Sequence, residues 1–137
     1  SDAAMLAHFR GIARVLRPGG VYAVGLSLSS YAHEIPTEDV WVGRRGRSEV
    51  MQVVQYLVPT RQKRSEPVIS HLTVRRGPRT EDLDFTYTLR SYDTRQWLKL
   101  VARSPLEIVA AVDEVGEDLA LYEPGYAIFI LAPRAGR

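Results

Sequence analysis

The sequence predicts an α/β domain interrupted by an antiparallel β insert. Three observations carry this. A helical apolar stripe stops at Pro18-Gly19-Gly20, and the apolar run VYAVGLSL, Val21 to Leu28, starts in the next residue. The middle of the chain then alternates apolar and polar residues between polar turns. The last third returns to a short helical pattern followed by two further apolar runs.

The first element spans Asp2 to Leu16. Met5, Phe9, Ile12 and Leu16 recur at helical spacing, and Leu6 and Ala13 widen the stripe. Ser1 or Asp2 can cap the start, and Arg17 sits where the helix dipole favours a cation. Pro18 cannot continue a helix, and two glycines permit a tight reversal. Val21–Leu28 does not alternate. Such a run suits a strand buried on both faces, as in a parallel sheet covered by helices. The turn from helix to strand is half of a βαβ crossover, and the strand before the helix is expected to come from outside this chain.

Glu49–Val58, Pro67–Arg76 and Leu83–Arg90 read as three strands of an antiparallel meander with one wet face. In the third, Leu83, Phe85, Tyr87 and Leu89 point one way and Asp84, Thr86, Thr88 and Arg90 the other. The segments TRQKRSE and GPRTE are turns, and DVWVGRRG reads as a polar loop. Thr94 can cap a short helix with Trp97, Leu98 and Val101 on its inner side. Leu106–Val115 and Tyr126–Ala132 are two more strands.

Composition bounds the function. Of 137 residues, 45% are hydrophobic and 25% charged, which suits one globular domain with a real core. There are no cysteines, which excludes disulfides, thiolate metal sites and a cysteine nucleophile. No apolar run reaches the roughly 20 residues of a membrane span, and SDAAMLAHFR lacks the pattern of a signal peptide, so a cytoplasmic location is expected. His8, His33 and His71 have no metal-ligand spacing, and no metal site is expected. The chain lacks G-x-S-x-G, a Walker-type lysine and a carboxylate pair placed for glycoside hydrolysis. Arginines cluster at Arg44, Arg45 and Arg47, at Arg61 and Arg64 with Lys63, and at Arg75, Arg76 and Arg79. The net charge of +2 reads them as solvated turns and argues against a nucleic-acid partner.

FRGIARVLRPGGVYAVGLSL resembles the segment entering the fifth strand of class I S-adenosylmethionine-dependent methyltransferases, where a helix ends in Leu-(Arg/Lys)-Pro-Gly-Gly and feeds a central parallel strand. RSYDTRQWLKLVARSPLEIVAAV is similar to that family's last helix and sixth strand, with Ser104-Pro105-Leu106 in place of the usual Ala-Gly-Phe. YAIFILAPR is like its seventh strand, which runs antiparallel. WVGRRGRSEV opens a segment resembling the antiparallel subdomain of some small-molecule methyltransferases.

The resemblance implies the C-terminal part of a Rossmann-like methyltransferase sheet with a three-stranded antiparallel meander inserted. Residues 1–32 and 91–137 form the partial Rossmann-like domain, and residues 33–90 the insert, a substrate-facing lid. It implies S-adenosylmethionine as cofactor, but no glycine-rich loop follows a strand here, so the main cofactor cradle lies outside these residues and the segment alone should be inactive. The expected function is methyl transfer to an amine or hydroxyl of a small molecule. The alternative is a non-enzymatic module whose basic β surface takes protein or nucleic acid. The partner expected at the sheet edge is a second copy or an N-terminal half.

Ligands of open α/β sheets bind beyond the carboxyl ends of strands. That places Ser27, Ser29, Ser30, Tyr31 and His33 near a substrate. His33 with Glu34 is the candidate general base, against an ordinary surface histidine. Ser29, Tyr31, Trp41, Arg44 and Tyr92 are the candidate substrate-binding residues: Trp41 as a stacking wall or a local cap, Arg44 with Arg45 as an anion clamp or a solvated turn, and Tyr92 with Asp93 at the corner before the last helix. Tyr56, His71 and Tyr87 touch substrate only if their sheet faces a cleft; otherwise they pack on neighbours.

Overall fold

A computed structural model describes residues 1–119 and 124–135 of the chain. They form two compact units, one of Ser1–Ser30 with the segment from Tyr92 onward, the other of Tyr31–Ser91. The whole is a sheet-dominated α/β arrangement.

In the first unit, helix α1 (Asp2–Val15) leads into strand β1 (Tyr22–Leu28), and helix α2 (Thr94–Ala102) into strands β6 (Leu106–Val112) and β7 (Gly125–Pro133). Ser1 caps α1, its hydroxyl accepting from the Ala4 N–H at 3.3 Å. The helix buries Leu6 and Phe9, with Met5, Ile12 and Leu16 packed at the core's margin. Arg14 rather than Arg17 is the cation of its last turn. Both glycines of the following turn are needed. Gly19 has φ +75°, and a Cβ on Gly20 would lie 2.9 Å from the Arg17 carbonyl, which accepts the Gly20 N–H at 2.8 Å.

The sheet order is β1-β7-β6. Strand β7 is antiparallel to both neighbours, as the resemblance expects of it. Among the described residues, strand β1 therefore has a strand partner, β7, on one side only. At its very end the chain returns on the other side, where Leu28 forms an isolated parallel bridge to Tyr92. The expectation that Val21–Leu28 is buried on both faces fails within this unit. Tyr22, Val24, Leu26 and Leu28 face the core, while Ala23, Gly25 and Ser27 on the other face are exposed.

Helix α2 is capped by Asp93, not Thr94. The Gln96 N–H donates to Asp93 Oδ1 at 2.7 Å and the Asp93 N–H to Gln96 Oε1 at 3.0 Å, a capping box that Thr94 could not make. Its buried face is Trp97, Leu100 and Val101, with Leu100 taking the place expected for Leu98. Trp97 is the hub of the core, its ring packed against Phe9, Tyr92 and Phe129. Leu106, where the resembling family has Phe, is fully buried. Strand β6 stops at Val112, short of Val115, because Asp113 accepts the N–H groups of Val115 and Glu117, each at 2.9 Å, and closes a turn.

The second unit is a four-stranded antiparallel meander, not a three-stranded one. Its strands β2 (Thr37–Arg45), β3 (Ser48–Tyr56), β4 (Ser65–Arg76) and β5 (Arg79–Arg90) lie in sequence order. DVWVGRR belongs to β2 and is not a loop, and Gly46 opens the turn after it. This edge strand is exposed on both faces, so no apolar alternation marks it. Tight turns at Gly46-Arg47 and Gly77-Pro78 join the hairpins, with both glycines at positive φ. One face carries Trp41, Val54, Val68, Leu72, Leu83, Phe85, Tyr87 and Leu89, as the register dictates. Val54 and Val68 are buried there, and Trp41, Phe85 and Tyr87 around them are exposed.

Candidate functional site

In the first unit the carboxyl end of β1 gathers Leu28, Ser29 and Tyr92. The Ser29 N–H donates to the Tyr92 carbonyl at 2.8 Å, and both residues are buried. The Tyr92 ring lies edge-on to Trp97, with centroids 5.8 Å apart, and is part of the core. Here a candidate substrate contact does packing work.

The other candidates lie in the second unit. The Tyr31 hydroxyl is 3.3 Å from Ser91 Oγ, and the Arg61 guanidinium sits over its ring at 5.3 Å. His33 is exposed and makes no hydrogen bond or ion pair among the described residues, so Glu34 does not orient it. Trp41 projects from β2 with 61% of its surface exposed. Arg44 is paired with Glu49, which Arg75 also approaches at 3.4 Å. The Arg44 side chain stays 77% exposed, so this is a surface ion pair.

His71 and Tyr87 do not share a face, because Tyr87 is registered to Val68 and His71 to Asp84. On the opposite face, the His71 Nδ1–H donates to Asp84 Oδ1 at 2.6 Å, and Nε2 lies 3.7 Å from Asp82, which also accepts from Thr73 Oγ1 at 2.7 Å. The hydrogen bond to Asp84, aided by the charges of Asp84 and Asp82, raises the histidine's pKa. Both ring nitrogens thus face carboxylates of the neighbouring strand, a cross-strand pairing of His71 with Asp84 and Asp82.

The register assembles a group that sequence reasoning left scattered. Thr37, Tyr56, Val68 and Tyr87 form one row across the four strands, flanked by Asp39 and Glu66 on the same face. Burial raises the pKa of Glu66, and the charge of Glu34 adds to it. Burial likewise raises that of Tyr56, with Tyr87, Asp39 and Glu66 contributing. A carboxyl held protonated longer than usual beside two phenols can exchange a proton with a bound amine or hydroxyl. The signal in the sequence was Glu66 itself, the one charge in the register Glu66, Val68, Ser70, Leu72, Val74.

This gives a pH prediction. Below about pH 4.3, the ordinary glutamate value, Glu66 is protonated folded and unfolded alike and carries no penalty. As pH rises through the raised folded value, the unfolded chain ionises more readily, and stability falls. Glu66→Gln should therefore raise Tm by about one to two degrees at pH 7 and leave it unchanged near pH 4, by differential scanning calorimetry.

Among the described residues no group of three or more His, Asp or Glu is placed to hold a metal, and no helix is long and apolar enough to cross a membrane. A cavity of about 340 Å³ in the first unit is lined by Ala13, Leu16, Arg17, Pro18, Gly19, Gly20, Ala132 and Pro133. Its wall is mostly apolar and backbone, with Arg17 as its one charged residue.

No protein-family model matches the sequence, and no curated protein matches it. Solved structures do. A S-adenosylmethionine-dependent methyltransferase from Clostridium acetobutylicum ATCC 824 superposes with TM-score 0.69 at 13% identity, over 96% of this chain and 51% of that one. The sugar N-methyltransferase KedS8 from Streptoalloteichus sp ATCC 53650 gives TM-score 0.61 at 15% identity, over 95% and 49%. CalS10, an amino pentose methyltransferase from Micromonospora echinaspora involved in calicheamicin biosynthesis, solved with S-adenosylmethionine bound, gives 0.55 at 18%, over 95% and 51%. At these identities the likeness is one of fold. The chain spans about half the length of the methyltransferases it matches, consistent with a C-terminal portion of that fold.

Proposed function

We propose that this chain is the C-terminal part of an S-adenosylmethionine-dependent methyltransferase that methylates an amine or hydroxyl of a small molecule, and that the meander is its acceptor-facing lid. The observation that carries this is the open side of β1. Among the described residues, a strand rich in apolar residues has a strand partner on one side only, in a chain that covers about half of the methyltransferase it superposes on. A strand of the remaining sheet, or a second copy, covers that edge.

Two of the matched structures are named as methyltransferases of a sugar or amino pentose, which favours a sugar amine as acceptor. In this reading Trp41 and Tyr31 supply ring surfaces for the acceptor, and His33, exposed on its loop, takes the acceptor's proton. Methyl transfer asks mainly for alignment and exclusion of water. The alternative of a non-enzymatic module has no comparable support, since each matched structure described above is a methyltransferase.

Residues 1–137 alone should give no saturable heat with S-adenosylmethionine in isothermal titration, because the cradle is not among them. Tight binding by this chain would overturn the reading.

A further inference from the structure

We infer that the turn end of the meander is a binding cup for a small, phosphate-dense anion. Two arginine clusters far apart in sequence meet there. The β2–β3 turn and the β4–β5 turn lie side by side, because Ser48 pairs with Arg76, and the Gly77 N–H donates to the Arg47 carbonyl at 3.3 Å. Between them is a cavity of about 480 Å³, lined by Arg47, Arg76 and Arg79 with Glu81, over Val74 and the Gly77-Pro78 turn. That size lies within the range of small-ligand sites.

The faces of the sheet separate the charges. Arg44 and Arg75 lie on one face and share Glu49. Arg76 and Arg79 are registered to each other on the opposite face, together with Glu81. Among the described residues, Arg47, Arg76 and Arg79 make no side-chain hydrogen bond or ion pair. Three guanidinium groups thus surround one cavity with a single carboxylate in its wall. Guanidinium forks match phosphate oxygens bidentately, so the ligand that balances them carries two or more phosphoryl groups. A polymer is the poorer fit. Further along this face the register continues into Leu72, Leu83, Val54 and Phe85, which gives a phosphate backbone no basic track.

This inference does not depend on the methyl-transfer reading and stands or falls separately. The test is isothermal titration of the 137-residue chain with inorganic pyrophosphate at low salt. Saturable binding that weakens as salt rises is expected. Arg76→Gln and Arg79→Gln should each weaken it about tenfold, and Arg79→Lys, which keeps the charge and loses the fork, about threefold. Arg95→Gln, exposed on α2, should leave it unchanged. The turn arginines are exposed, so circular dichroism of the variants should match the parent. No saturable binding, an equal loss in Arg95→Gln, or preference for a single-stranded oligonucleotide over pyrophosphate would overturn the assignment.

Discussion

Trp97→Ala should cost the first unit about 3–5 kcal/mol, a large share of the roughly 5–15 kcal/mol of an ordinary domain. Trp97 is fully buried on α2. Its ring meets Phe9 of α1 at 5.8 Å, Tyr92 at 5.8 Å and Phe129 of β7 at 5.4 Å between centroids, so one side chain joins both helices, the middle strand and the corner beside β1. Alanine there leaves a void lined by three aromatic rings that cannot all collapse into it. Trp97→Phe separates ring from volume. It keeps an aromatic centre and removes an indole N–H that is buried without a hydrogen-bond partner among the described residues, and should cost less than half as much. Urea unfolding followed by circular dichroism reads both. An alanine variant within 1 kcal/mol of the parent would show that this cluster does not organise the core.

The elements of the first unit were legible because each has a period or a stop signal. The stripe Met5, Phe9, Ile12 and Leu16 marks α1, and Pro18-Gly19-Gly20 marks its end. The cap of α2 was misread by one residue because Asp93 and Thr94 are both good caps; Gln96, three residues past Asp93, decides between them. Within this unit one face of β1 is exposed, and the sequence does not mark it. Ala23, Gly25 and Ser27 are small and nearly neutral, so their side chains do not report whether a face is covered. Strand β2 escaped notice because an exposed edge strand needs no apolar alternation.

The candidate site was legible only in part. The sequence pointed to the loop after β1, and Tyr31 and His33 do lie there. It could not show that Tyr92 is core, that Glu49 occupies Arg44, or that Tyr56, Glu66 and Tyr87 share one end of one face. The first comes from packing against Trp97; the other two come from register, and a one-residue slip would reverse them. The convergence of Arg47 with Arg76 and Arg79 has the same origin, since no local pattern says which hairpin turns lie side by side.

The open side of β1 can be read amide by amide. The Ser29 N–H points to Tyr92, on the side away from β7. Strand geometry alternates, so the N–H groups of Ala23 and Gly25 point the same way, and those of Tyr22, Val24 and Leu26 point to β7. Native-state hydrogen exchange by NMR, at a concentration where sedimentation shows a monomer, measures this directly. The account predicts that Ala23 and Gly25 exchange at nearly the unstructured rate and that Val24 and Leu26 exchange at least about a hundredfold more slowly. Equal strong protection of all four in the monomer would mean that this edge is already closed, and would contradict a sheet that continues beyond β1.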